Sequence, residues 1–151
     1  YKRQIEYIVL IGKMSKISPG LSVISKKFSN VAVEESTDDI ASLMSGCDIA
    51  ISACGTTMYE LSSLGVPTIH FAISKEQLDS AIAFGEQRIS MYCGAAFKES
   101  NEIPAKVANS LSKLVKNFDL RNALSKRSRA IVDGAGAKRI AQLLASNIAA
   151  H

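Results

Sequence analysis

The chain has 151 residues, of which 47% are hydrophobic and 21% are charged. This composition is typical of a soluble globular domain with a full core, and it excludes an intrinsically disordered chain. No apolar run approaches the roughly 20 residues that a membrane helix needs, so we expect no membrane span. The net charge of +4 suits anionic small molecules, whereas only 6% aromatic residues and no basic run argue against a nucleic-acid partner.

The chain begins at Tyr1, without an initiator methionine or an apolar signal segment, so we expect a fragment of a longer protein. The three cysteines, Cys47, Cys54 and Cys93, lack the spacing of metal ligands or redox pairs. We therefore expect reduced thiols in a cytoplasmic protein that holds neither a metal nor a cofactor.

Apolar runs and turn residues predict an alternation of strands and helices. The run over residues 5–11 predicts a strand buried on both faces, and a short helix is expected from the break at 18–20 to about Phe28. Further strands are predicted at 31–33, 48–52, 67–71 and 89–92. A helix before the strand at 48–52 would be capped from within Ser36, Thr37, Asp38 and Asp39. Its predicted apolar face consists of Ile40, Leu43, Met44 and Cys47.

Helices are also predicted through Leu64, near residues 77–84, and over the last third of the chain. The first of these should end at Gly65 in a left-handed cap. Two apolar stripes mark the last third, with Gly134 and Gly136 separating the final helix from its predecessor. The first stripe is Val107, Leu111, Leu114, Val115 and Phe118. The second is Ile140, Leu143, Leu144 and Ile148.

This alternation predicts an α/β fold, a Rossmann-like parallel sheet with helices on both faces, in a single domain over residues 1–151. Ligands of such sheets bind beyond the carboxyl ends of the strands. The turns after Gly12, at residues 52–57 and at residues 71–77 are therefore the places where a site is expected.

The most informative segment, residues 52–61, runs from a strand through a glycine turn directly into a helix. Unpaired N–H groups at a helix N-terminus bind phosphate, and Gly55 would let the anion approach the backbone. The hydroxyls of Thr56 and Thr57 could add donors, and the Glu60 carboxylate could accept from two ribose hydroxyls. The same Thr57-x-x-Glu60 spacing also matches a capping box, in which the glutamate only satisfies its own helix. The spacing leaves both interpretations open.

Residues 48–61, continuing to Leu64-Gly65-Val66-Pro67-Thr68, resemble the C-terminal domain of the UDP-sugar hydrolases of the pseudaminic acid pathway and of the spore-coat polysaccharide biosynthesis proteins. They are more distantly similar to the peptidoglycan UDP-GlcNAc transferase and other GT-B glycosyltransferases. Residues 128–140 resemble the closing segment of the hydrolase branch. The resemblance implies the C-terminal domain of a GT-B fold that binds UDP.

Carried over by position, the resemblance implies that Glu60 holds the ribose and that Gly55, Thr56 and Thr57 hold the diphosphate. Gln77 matches a glutamine that approaches the nucleotide-sugar from the next loop. Cys54 stands where the family has a second glycine, which would strain the turn if that position needed a positive φ.

Other candidate residues have an ordinary alternative. Cys54 at a helix N-terminus could be a nucleophile, but no base stands near it in sequence, which favours a turn cysteine. His70 could contact substrate from a strand end, or be structural. A solvated face is expected for the basic residues of the last helices: Arg121, Lys126, Arg127, Arg129, Lys138 and Arg139.

The favoured hypothesis is a UDP-sugar hydrolase of nonulosonic acid or surface polysaccharide biosynthesis. Its general base would lie on a missing N-terminal domain, so no catalytic residue is assigned here and the chain alone should be inactive. The alternatives are the donor-binding domain of a GT-B glycosyltransferase, or a non-catalytic nucleotide-sugar module fused to a cytidylyltransferase.

Overall fold

A computed structural model describes residues 5–12, 15–35, 37 and 39–149, without the side chains of the last two residues of that range. The predicted capping residues Ser36 and Asp38 and the side chain of Ile148 lie outside this description. The structure has two compact units, one that extends to Ile40 and one that begins at Ala41.

The first unit contains strand β1 (Tyr7–Ile11), helix α1 (Pro19–Lys27) and strand β2 (Val31–Glu35). The two strands pair in parallel, with Tyr7 opposite Val31. Helix α1 begins where Ser18 accepts a hydrogen bond from the backbone N–H of Leu21 at 3.2 Å. The prediction that β1 is buried on both faces is wrong, because Ile8 is 49% exposed. Among its described residues, the first unit offers only α1 and the neighbouring strand β2 to bury the side chains of β1.

The second unit continues the alternation and ends in a series of helices. Its first elements are α2 (Ile40–Ser45), β3 (Ala50–Ala53), α3 (Thr57–Leu64), β4 (Thr68–Ala72), a 3-10 turn (Lys75–Gln77), α4 (Leu78–Glu86) and β5 (Met91–Ala95). Its remaining helices are α5 (Ala96–Glu99), α6 (Ile103–Lys116), α7 (Phe118–Ile131) and α8 (Gly136–Ala149). The strands form a parallel sheet in the order β3-β4-β5.

The central strand β4 is covered on both faces, as the predicted fold class requires. Ile69 packs into a cluster with Leu114 of α6 and Leu124 of α7. Ala72, on the other face, packs with Met58 of α3 and Phe84 of α4. This alternation follows from the two-residue period of a strand. The prediction of a parallel α/β fold with helices on both faces is confirmed for this sheet.

The two apolar stripes of the last third have different outcomes. Leu114 is fully buried, and Val107 and Leu111 pack against the same cluster. Val115 and Phe118 are 39% and 68% exposed, so these two members of the first stripe lie outside the buried cluster. Helix α6 ends at Lys116, and Phe118 is the first residue of α7. Phe118 therefore does not continue the apolar stripe of α6. In α8 the described apolar side chains are also exposed: Ile140, Leu143 and Leu144.

Helix α3 ends as predicted, with Gly65 in the left-handed conformation at φ 70°. The N–H of Val66 donates to the carbonyl of Leu61 at 2.9 Å, which completes a Schellman cap. Arg129 of α7 adds a second cap, because its Nε and Nη2 donate to the carbonyl of Leu64 at 3.0 and 2.6 Å.

The basic residues of the last helices are exposed or half-buried, as expected of a solvated face, and three of the arginines also make specific contacts. Arg129 caps α3, and Arg121 caps α6 by donating to the carbonyl of Leu114 at 2.5 Å. Arg139 forms a salt bridge to Asp133 at 2.7 Å, and the pKa of that exposed carboxyl falls to about 2, chiefly through the arginine's hydrogen bond. Orphan carbonyls at helix C-termini are good partners for cations.

Candidate functional site

The predicted phosphate turn joins β3 to α3 at the carboxyl end of the sheet. Backbone hydrogen bonds hold it: the N–H of Cys54 donates to the carbonyl of Phe71 at 2.9 Å, and that of Gly55 donates to the carbonyl of Ala53 at 2.9 Å. The first of these bonds ties the turn to the neighbouring strand β4. The turn is therefore hydrogen-bonded to the sheet at Cys54 and within itself at Gly55.

Helix α3 is held by one apolar face and presents the other face outward. Met58, Leu61 and Ser62 are buried, at the i, i+3, i+4 spacing of one helix face. Thr56 and Glu60 are exposed, four residues apart, and therefore lie on the same side of the helix. Packing of the buried face thus directs the threonine and the carboxylate to the same region of solvent.

The N-terminus of α3 leaves donors free. Within the part of the chain that the structure describes, the backbone N–H groups of Thr56 and Thr57 have no hydrogen-bond partner. The hydroxyls of both threonines are likewise unpaired there, and the N-cap residue Thr56 makes no side-chain cap. Unpaired N–H groups at the positive end of a helix are suited to bind an anion.

The capping-box interpretation is contradicted by the position of the helix start. The box would need Thr57 as N-cap and Glu60 as the third helical residue. Instead Thr56 is the N-cap, with φ −55° and ψ −36°, which makes Glu60 the fourth residue of the helix. The Glu60 carboxylate makes neither a hydrogen bond nor an ion pair with any described residue. It is free to accept hydrogen bonds from a ligand.

Gln77 lies next to the turn. Its Oε1 accepts a hydrogen bond from the N–H of Ile73 at 3.1 Å, which fixes the orientation of the amide. Its Nε2 then lies 3.8 Å from the place where a Cβ on Gly55 would stand. Ile73 and Phe71 support the site through backbone atoms alone, so no side-chain signal in the sequence could have identified them.

Neither Cys54 nor Gly55 has a positive φ. Among the described residues, a positive φ occurs at Gly65, Arg88, Gly94 and Gly134. Cys54 in place of a second glycine therefore does not strain the backbone. A Cβ on Gly55 would meet only Gln77, at an ordinary contact distance. The protein alone thus gives no steric reason for glycine at position 55.

The two alternative reactive residues are structural. Cys54 is buried, and burial raises the pKa of its thiol, which is the reverse of what a nucleophile needs. His70 is fully buried, and its Nε2 lies 2.9 Å from the carbonyl of Ala81. Burial lowers the pKa of this imidazole. His70 packs inside the unit and is not positioned to reach a substrate.

The described residues contain no group of three or more histidine, cysteine or acidic side chains that could hold a metal ion. Among the helices as described, none is both long enough and apolar enough to cross a membrane.

No family model matches the chain. It is 31% identical over 110 residues to the spore coat polysaccharide biosynthesis protein SpsG of Bacillus subtilis (strain 168). The match covers 73% of this chain and 32% of SpsG, so the chain spans about a third of the curated relative.

Two solved glycosyltransferases share the fold. The spinosyn forosaminyltransferase SpnP matches with a TM-score of 0.62 at 16% identity, over 93% of this chain and 34% of SpnP. The glycotransferase of kitacinnamycin matches with a TM-score of 0.63 at 15% identity, over 97% of this chain and 45% of that one. The chain thus has the fold of a GT-B glycosyltransferase domain, and its sequence is related to a polysaccharide biosynthesis protein.

Proposed function

We propose that this chain binds a UDP-sugar at the turn between β3 and α3 and serves as the nucleotide-binding part of a longer enzyme of polysaccharide biosynthesis. The observation that carries the proposal is the grouping of unpaired donors and acceptor on one helix end. The free N–H groups of Thr56 and Thr57 precede the unpaired Glu60 carboxylate by about one helical turn.

In this proposal each group of the site contacts a different part of the nucleotide. The diphosphate lies on the N–H groups and hydroxyls of Thr56 and Thr57, close to the backbone of Gly55. The Glu60 carboxylate accepts from the ribose hydroxyls. The Nε2 of Gln77, which faces the turn, donates to the diphosphate or the sugar. As the bond from the anomeric carbon to the diphosphate breaks, these donors stabilise the negative charge on the departing UDP.

For the reaction itself we propose hydrolysis, in which water attacks the anomeric carbon and UDP leaves. This rests on the resemblance of residues 48–68 and 128–140 to the UDP-sugar hydrolases of the pseudaminic acid pathway. Transfer to an acceptor hydroxyl is the second candidate, and the fold shared with two glycosyltransferases favours it. Both reactions need a base within reach of the attacking oxygen. Neither His70 nor Cys54 can supply it from the interior, so we place it on another part of the protein.

Calorimetric titration of the chain with UDP, UMP and uridine tests the binding proposal. We expect UDP to bind best, because a diphosphate uses both N–H groups. We expect Glu60→Gln to weaken the binding of all three ligands, because each of them carries the ribose. Glu86→Gln, an exposed glutamate at the far end of α4, is the matched control. Absence of UDP binding by a folded chain would contradict the proposal.

The choice between water and an acceptor needs the longer protein. Release of UDP and free sugar from a UDP-sugar in the absence of any acceptor would support hydrolysis. Release only when a hydroxyl acceptor is added would establish transfer instead. The 151-residue chain alone should release no UDP in either assay, since His70 and Cys54 are buried and the Glu60 carboxylate is occupied by the ribose in this proposal.

A further inference from the structure

A second cleft lies in the second unit, away from the turn between β3 and α3. It has a volume of about 320 Å³ and is lined by residues at the end of α4, the start of β5 and one side of α7. Ser90 and Met91 stand at the amino end of β5, whereas the Gly55 turn follows the carboxyl end of β3. Because the strands are parallel, the two places are at opposite edges of the sheet.

An unusual residue stands at the edge of this cleft. Arg88 follows α4 with a φ of 53°, and among the described residues it is the one non-glycine residue with a positive φ. Its N–H donates to the carbonyl of Gly85 at 2.9 Å, and that of Ile89 donates to Phe84 at 3.3 Å. This is the same Schellman cap that Gly65 makes after α3. Glycine is favoured at that position because other residues are strained in it.

Three polar side chains of the cleft have no partner among the described residues. Arg88 and Arg127 line the cleft, and neither guanidinium forms a hydrogen bond or an ion pair with a described residue. The hydroxyl of Ser90, which also lines it, is buried and unpaired within the described chain. Buried hydroxyls are normally hydrogen-bonded. The other walls are apolar, and Met91, Leu120 and Leu124 contribute to them.

We propose that this cleft binds a small phosphate monoester that carries an apolar or aromatic group. Two guanidinium groups match the charge of nearly two on such a phosphate, and their planar donors suit its oxygens. The apolar walls would receive the attached group. The volume is at the small end of the range for ligand pockets, which limits the ligand to about the size of a phenyl phosphate. The strained arginine is accounted for if the guanidinium at position 88 is needed for this contact.

Amide-resolved NMR titration of the full chain with phenyl phosphate tests the proposal, with phenol and inorganic phosphate as comparison ligands. We expect signals of Ser90 and Met91 to shift with phenyl phosphate, less with inorganic phosphate, and not with phenol. Arg127→Gln and Arg88→Gly should each weaken this binding by about tenfold or more, the order for a lost charge-assisted hydrogen bond. Arg88→Gly also relieves the positive φ, so the variant should fold at least as well as the parent.

Lys126→Gln is the matched control, because it removes a neighbouring exposed charge on α7 that does not line the cleft. If Lys126→Gln weakened phenyl phosphate binding equally, the loss in the arginine variants would reflect net charge alone, and the proposal would be overturned. So would shifts confined to the amides of Gly55, Thr56 and Thr57, which would place the phosphate on α3. The outcome is independent of UDP binding, because the two sets of amides lie at opposite edges of the sheet.

Discussion

Replacement of Gly55 by alanine separates the needs of the fold from those of a ligand. The backbone at position 55 does not have a positive φ, and an added Cβ would lie 3.8 Å from Nε2 of Gln77 with no closer contact. The fold should therefore accept the methyl group. A diphosphate close to the backbone of the turn should not, because the methyl would occupy space that the phosphate oxygens need.

The expected effects of Gly55→Ala have opposite signs. Alanine restricts the unfolded chain, so the free energy of unfolding should stay the same or rise by about 0.4–1 kcal/mol. The affinity for UDP should fall by about tenfold or more, or about 1.4 kcal/mol, because displacement of the phosphate lengthens charge-assisted hydrogen bonds to Thr56 and Thr57.

Urea unfolding and calorimetric titration of the same preparation measure the two quantities. Gly136→Ala is a suitable control, since that glycine also lacks a positive φ and its added Cβ would contact nothing within 4 Å. Unchanged UDP affinity in Gly55→Ala would refute the reasoning that the ligand approaches this backbone. A large loss of stability would show instead that the glycine serves the fold.

Three further predictions concern neighbouring parts of the second unit. Glu60→Gln should lower UDP affinity by about 1–2 kcal/mol with little change in melting temperature, whereas lost stability at unchanged affinity would restore a capping role. Gly65→Ala should lower the free energy of unfolding by about 2 kcal/mol in urea, since its Cβ would stand 2.1 Å from Nε of Arg129 at a φ of 70°; a loss below about 0.5 kcal/mol would contradict this. The lowered pKa of His70 means that the unfolded state takes up a proton first as the pH falls. Stability should therefore decrease as the pH falls from about 6.5 towards the folded pKa, by up to about 1.4 kcal/mol per pH unit. His70→Gln, which can still donate to Ala81, should show a smaller slope in urea unfolding between about pH 7 and 5, and an equal slope would contradict the assignment.

Much of the fold could be predicted because its signals are local. The strand predicted at 67–71 is observed as β4 at Thr68–Ala72, and Gly65 marks the end of α3 because only glycine is unstrained there. The limits of β5 were predicted less well, at 89–92 instead of Met91–Ala95. Gly94 and Ala95 have low strand propensity, and pairing with β4 overrides it.

The candidate site divides in the same way. The Gly55 turn and the spacing to Glu60 are contained in one segment, and the sequence pattern was sufficient to identify them. The sequence pattern could not decide whether Glu60 binds a ribose or belongs to a capping box. That choice depends on whether the helix is capped by Thr56 or by Thr57, a difference of one residue. The contact of Arg129 with Leu64 joins residues 65 positions apart, and no local pattern reports such a contact.

An amide-resolved NMR titration of the chain with UDP tests the central claim most directly, because it reports both binding and its place. We expect the amide signals of Gly55, Thr56 and Thr57 to shift together and to saturate, because the free N–H groups at the start of α3 receive the diphosphate. Signals at Ser90 and Met91, at the opposite edge of the sheet, should remain in place. A folded chain whose Thr56 and Thr57 amides do not respond to millimolar UDP would contradict the claim.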